Sequence, residues 1–350
     1  MLVGISLVGL LWMLAVLRSR RKYYIGMLSG ISAACIVTTS LGIYLYRQDT
    51  ASGEDYMHRY TLGSLLKNLD EQYRYNITDN ILILSGDAMG VWSFNSTKSP
   101  SISEFDKTFG YESTNFSLNV NSIPGLSQLV AAKYRIVKDI DGTDEVVDMI
   151  DVDGKRYYIV ADTVCPIGFA YDSYILREDL VQIETQNRGM AVLDNLVVSV
   201  EEEYRISSIA RKNNPSDYAS DAEYIAEIVA KNLENSVENF HRDNGGFECG
   251  TDYDTDKAVY FSVPYDAGWE ASIDGRRTEI IKSNGMMAIV VPEGKHQIIF
   301  RYKTPGFREG IWISAVSTMI FLAHLLYRRR GRCAELYNDI KAWNRCQKDC

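Results

Sequence analysis

Pro264-Tyr-Asp-Ala-Gly-Trp-Glu-Ala-Ser-Ile-Asp-Gly275 is the most informative stretch of the chain. Pro264 to Gly268 reads as a connection, Trp269 to Ile273 as a short strand, and Asp274-Gly275 as the two-residue turn of a hairpin. Working outward, Lys257 to Val263 is a strand before it, and Arg277 to Lys282 leads to a second hairpin turn at Asn284-Gly285. Met287 to Val291 runs to a third turn, Pro292-Glu293-Gly294, and Gln297 to Tyr302 closes the set. In that last strand Ile298, Phe300 and Tyr302 alternate with Gln297 and Arg301, the period of a sheet with one buried face. Short strands with such turns predict a β-sandwich over 186–306, with Val197 to Tyr204 as a further strand. Ile225, Ile228, Val229, Leu233 and Val237 predict one helix over 221–240.

Upstream, helical and strand patterns alternate, which predicts an α/β unit over 75–185. Asn80 to Ser85 reads as a buried strand, and Ser101 to Phe109 as a helix capped by Ser101 or Ser103. Leu126 to Ala132 is a second short helix, Tyr134 to Lys138 a strand, and Asp153-Gly154 a turn into Lys155 to Val160. Residues 47–74 form a helical connector.

The ends of the chain are apolar. Leu2 to Leu17, Tyr23 to Tyr46 and Gly310 to Tyr327 are hydrophobic runs near the length that a bilayer requires. Arg18, Arg20, Arg21 and Lys22 follow the first run, and Arg328, Arg329, Arg330 and Arg332 follow the third. The basic residues follow the first run, the reverse of a signal peptide. The expected fold class is therefore a membrane protein, with three transmembrane helices and an extracytoplasmic α/β unit followed by a β-sandwich-like domain. Two helices and a basic loop (18–22) fill 1–46, a third helix fills 307–327, and 328–350 is a basic tail. The positive-inside rule puts 18–22 and 328–350 in the cytoplasm and 47–306 outside. A first span that begins outside, with no basic residue before it, suggests a piece of a longer polytopic protein.

Composition narrows the function. A net charge of −9 argues against nucleic acid, which requires a clustered basic face. Six cysteines without a CxxC make no disulfide framework, although Cys165 and Cys249 allow one bridge in an oxidising compartment. No phosphate-cradling glycine loop, dinucleotide fingerprint or GxSxG elbow occurs. Asp151-Val-Asp153 imitates a metal-binding DxD, but Gly154 makes a hairpin turn the simpler reading. Asp252, Asp254 and Asp256 have calcium-loop spacing, yet Lys257 and Val263 stand where such a loop needs Gly and Glu. His58, His241, His296 and His324 are scattered, so the expectation is no metal and no cofactor.

Pro264 to Gly275, with Pro292-Glu-Gly-Lys-His296 and Tyr302-Lys-Thr-Pro-Gly306, resembles the carboxy-terminal end of the bacterial membrane protein YfhO family. Phe94-Asn-Ser-Thr97, Ser101-Ile-Ser-Glu-Phe105, Ala132-Lys-Tyr134 and Pro166-Ile-Gly-Phe169 fit the same pattern in the same order, so the resemblance covers residues 60 to 327. It implies a polytopic protein like the GT-C glycosyltransferases, which move sugar from a polyprenyl-phosphate donor to envelope polymers. The catalytic acid of such proteins lies on an early outer loop with no counterpart here, so no catalytic residue is carried over. The implied partners are the lipid bilayer, the donor, the acceptor polymer, and the other helices of a larger protein or split partner. A non-catalytic, membrane-anchored carbohydrate-binding or scaffold module is the alternative. Trp269 and Asp274 are the candidate ligand-binding residues. Trp269 reads either as a sugar-stacking platform or, more simply, as a plug in the sandwich core.

Overall fold

The computed structural model describes residues 24–49, 52–77, 79, 82, 85–86, 88–91, 98–214, 218 and 221–346. The first apolar run, the basic residues 18–22 and the Phe94–Thr97 motif lie outside them.

The chain forms two compact units. One comprises Met1–Lys67, Asp79–Ala88 and Ile136–Ile159; the other comprises Asn68–Thr78, Met89–Arg135 and Val160–Cys350.

The second unit is layered. A five-stranded antiparallel sheet has the spatial order Arg276–Thr278, Trp269–Ile273, Gly294–Tyr302, Gly246–Tyr253 and Glu238–Asp243. Its alternation sends Phe247, Cys249, Tyr253, Ala271, Ile298 and Phe300 inward. They meet Val259, Phe261, Met287, Ile289 and Val291 from a four-stranded antiparallel sheet. That sheet has the order Ile281–Ser283, Met286–Val291, Lys257–Pro264 and Gly168–Tyr171. Its other face carries Tyr260, Met286 and Ala288 into a second core with Phe105, Met190, Leu193 and Ile228 from helices. Burial on both faces explains why Met286 to Val291 is an unbroken apolar run. A small parallel sheet, Leu196–Val198, Ser173–Leu176 and Arg211–Lys212, completes this side.

The turns follow their chemistry. Asp274 and Gly275 have φ of 50° and 76°, and Asn284 and Gly285 have 47° and 82°. Paired positive φ is the geometry that the right-handed strand twist favours in two-residue hairpins. Asp153 and Gly154 repeat it, at 50° and 74°, between Glu145–Val152 and Lys155–Ala161 in the first unit.

The three-span fold is corrected. Among the described residues no helix is long and apolar enough to cross a membrane; the fold is α/β with several β-rich sheets. The expected second and third spans fall in the helices Tyr24–Asp49 and Phe307–Cys346. In the latter, Arg308 and Glu309 precede the apolar stretch and His324 interrupts it. Gly310 to Ala323 then spans roughly 20 Å, short of a hydrocarbon core of about 30 Å. The former, Tyr24–Asp49, carries polar side chains along its length. They include Ser32, Thr38, Thr39 and Ser40, and the Thr38 hydroxyl donates to the Ala34 carbonyl at 2.8 Å. Among the described residues, apolar side chains between Phe307 and Tyr327, including Trp312, Ile313, Met319 and Phe321, are exposed.

Smaller differences have local causes. Leu82 and Ser85 are helical, not part of a strand. A side chain at Gly63 would collide with the Leu82 carbonyl and the Ser85 hydroxyl, so this segment packs tightly on the helix Ser52–Leu65. The helix near residue 101 is Pro100–Thr108, and its cap is Ser99, whose hydroxyl accepts from the Ile102 amide at 3.2 Å. The helix expected over 221–240 is Ala222–Glu234, and Glu238–Asp243 is a strand because its backbone pairs with Gly246–Tyr253. The strand expected over 197–204 is shorter, Leu196–Val198, with the helix Glu203–Ile206 following.

Candidate functional site

The hairpin Trp269–Ile273/Arg276–Thr278 forms an end of the five-stranded sheet. Trp269 pairs with Tyr302 and Ile273 with Ile298, so Trp269, Ala271 and Ile273 face the core while Glu270 and Ser272 face away. The Trp269 ring lies edge-on to Phe247 at 5.8 Å, to Phe300 at 6.4 Å and to Tyr302 at 5.2 Å. Gly268 makes this packing feasible, since a Cβ there would stand 2.4 Å from the Lys303 carbonyl and 2.8 Å from the Tyr302 ring.

Trp269 is only half-buried. Beyond the core it lines a groove of about 460 Å³ with Tyr265, Glu270, Arg277, Thr278 and Glu279. Glu270 accepts from Lys303 at 2.6 Å and faces Arg277 at 3.9 Å, and the Lys303 bond holds its carboxyl below the usual range. Glu279 pairs with Arg205, and the Lys282 ammonium lies over the Tyr265 ring at 5.8 Å. The Tyr302 hydroxyl donates to Asp266 at 3.1 Å, which also accepts from the Gly268 amide. The groove thus combines aromatic surface with charged donors and acceptors, the chemistry that suits a polyhydroxylated ligand.

Asp274 sits at the other end of the same strand, about 17 Å away at the usual strand rise. Its carboxylate accepts from the Gln297 amide at 2.9 Å and from His296 Nδ1 at 2.6 Å. Trp269 lines the groove and Asp274 holds the hairpin turn, so the two candidates are not brought together. Arg277 and Glu279 escaped the sequence reading because only strand register brings them near Trp269, while Glu270, its neighbour in sequence, was not singled out.

The remaining constellations are occupied. Asp151 pairs with Arg156 at 3.0 Å, while Asp153 pairs with His58 at 2.8 Å, so the DxD carboxylates have separate partners. The second His58 nitrogen lies 2.7 Å from the Tyr157 hydroxyl. Asp252 faces Lys295 at 3.3 Å, and Asp256 accepts from the Glu293 amide at 2.9 Å. Among the described residues no group of His, Cys, Asp and Glu is arranged to hold a metal. Cys165 and Cys249 are free and buried in different cores. A larger groove of about 770 Å³ is lined by Lys98, Lys107 and Tyr111, but the Lys98 ammonium is neutralised by Asp106 at 2.8 Å.

No curated protein and no solved structure matches the chain. Residues 211–314 match a family model described as bacterial membrane protein YfhO. The matched segment contains the Trp269 hairpin and its groove, and over it the chain is similar to the bacterial membrane protein YfhO family.

Proposed function

We propose that this chain is the carboxy-terminal part of a cell-envelope glycosyltransferase-like membrane protein, and that its sandwich holds the acceptor polymer in the groove beside Trp269. The donor would be a polyprenyl-phosphate sugar, as the family resemblance implies, and the catalytic acid would come from another part of the assembly. In this reading the folded region within 47–306 works on the outer face of the membrane. The exposed apolar side chains described between Phe307 and Tyr327 support membrane contact, since apolar surface of that extent calls for a covering partner.

The observation that carries the proposal is the division of Trp269 between core and groove. One part of the ring is fixed by Phe247, Phe300 and Tyr302. The same side chain lines the groove together with Glu270 and Arg277. Sugar rings present an apolar face and a rim of hydroxyls, which an aromatic side chain and its charged neighbours complement.

Transfer of label from a radiolabelled polyprenyl-phosphate sugar to envelope polymer tests the enzymatic part. Membranes holding this chain alone are compared with membranes that also hold a polypeptide supplying the early family segment. Transfer only in the pair is the expected result. Absence of transfer from both would reject the glycosyltransferase reading in favour of a non-catalytic carbohydrate-binding module.

A further inference from the structure

Arg74 lies in the short strand Arg74–Tyr75, which pairs in parallel with Ala132–Val137. Its Nη1 donates to the Val130 carbonyl at 2.7 Å and to the Ser262 hydroxyl at 2.9 Å, and its Nη2 donates to the Ser262 carbonyl at 2.9 Å. These acceptors are neutral, and they use three of the five N–H groups of a guanidinium. Among the described residues, Nε–H and the second Nη2–H have no partner. These two lie on one edge of the guanidinium plane, the fork that carboxylates and phosphates accept in bidentate fashion.

The guanidinium borders a pocket of about 200 Å³. Its polar wall comprises Arg74, Asp106, Ser117 and Ser262; Phe105 and Met286 contribute to the apolar remainder. Asp106 is already engaged, accepting from Lys98 at 2.8 Å and from the Leu118 amide at 3.2 Å. That pair is neutral as a whole, which leaves Arg74 as the uncompensated charge of the pocket. Burial without a carboxylate partner is unfavourable for a cation, and it lowers the Arg74 pKa to about 10. The group therefore remains protonated at neutral pH. The Asp106 carboxylate on the same wall disfavours a doubly charged ligand.

We propose that this pocket binds a singly charged oxyanion, a carboxylate or phosphodiester group whose two oxygens sit on the Nε–Nη2 fork of Arg74. The inference is independent of the Trp269 groove. Arg74 also lies outside the segment matched by the family model.

Because Arg74 also ties Val130 to Ser262, the deciding readout is made on the unaltered full chain in non-ionic detergent. The Arg74 Nε resonance, identified by its absence from the Arg74→Lys spectrum, is followed during titration with dimethyl phosphate and then with acetate. Sodium chloride at matched ionic strength is the control. The expected result is a saturable shift at millimolar anion that chloride does not reproduce. A parallel sample in phosphatidylglycerol nanodiscs, without added anion, separates the sources. A shift with the soluble anions assigns a free ligand, and a shift only in the nanodiscs assigns a lipid headgroup. No shift in any sample, or an equal shift with chloride, overturns the proposal.

Discussion

His296 Nδ1 lies 2.6 Å from Asp274 Oδ2, while Nε2 of the same ring lies 3.0 Å from the Glu293 carbonyl. Both ring nitrogens thus face acceptors, and only the doubly protonated imidazolium donates to both. The His296 pKa is accordingly raised, first by the Asp274 bond and then by the Glu293 carbonyl. The Asp274 carboxyl is lowered, chiefly by the Gln297 amide and next by His296. The histidine part of the stability is fully present below the unfolded value of about 6.5 and fades as pH rises through the raised folded value. The aspartate part is present above about 3.9 and fades as pH falls through the lowered folded value. A His296 NMR titration should therefore give a midpoint above the ordinary histidine value, and Asp274→Asn should move it down. An unchanged midpoint in the variant would contradict the pairing.

Gly268 is required by its neighbours as much as by its turn. Gly268→Ala places a methyl against the Lys303 carbonyl and the Tyr302 ring. Urea unfolding should show a loss of about 1–3 kcal/mol, as for other overpacked sites. Stability equal to the parent would show that this corner of the groove is looser than described.

Phe300 stacks on Phe247 at 4.5 Å, meets Phe261 edge-on at 4.9 Å and is fully buried between the two sheets. Phe300→Ala should cost about 3–5 kcal/mol. A cost under about 1 kcal/mol, the range of a surface position, would argue against the two-sheet core.

Cys165 and Cys249 are 0% and 3% exposed, and burial pushes both thiols up to about 12. Neither should react with a membrane-impermeant maleimide in the native protein, and both should react after denaturation. Peptide mapping distinguishes them from Cys35, which is exposed. Native labelling of Cys249 would mean that the two sheets open in solution.

Legibility in the sequence followed the range of the interactions. Asp153-Gly154, Asp274-Gly275 and Asn284-Gly285 were readable because a two-residue hairpin with positive φ demands those residue types locally. Gly168–Tyr171 as a neighbour of Lys257–Pro264 was not readable, because that pairing depends on contacts distant in sequence. The helical segment at Leu82 and Ser85 was mistaken for a strand, because a short apolar run has no period that separates the two. The hydrophobic runs near the ends were read for their average, while Arg308, Glu309 and His324 leave too short an apolar stretch. At the site, Trp269 could be found from its Gly-Trp context. Arg277 and Glu279 required the register of a strand against its neighbour.

The most direct test of the groove is retention of purified envelope polymer by the immobilised full chain, with the parent compared against Trp269→Ala and Trp269→Phe. The account predicts retention by the parent, a loss of tenfold or more in Trp269→Ala (roughly 1.4 kcal/mol or above) and partial recovery in Trp269→Phe. Circular dichroism confirms that each variant is folded. Equal retention by parent and Trp269→Ala, or no retention by the parent, would contradict the claim that the groove holds the acceptor.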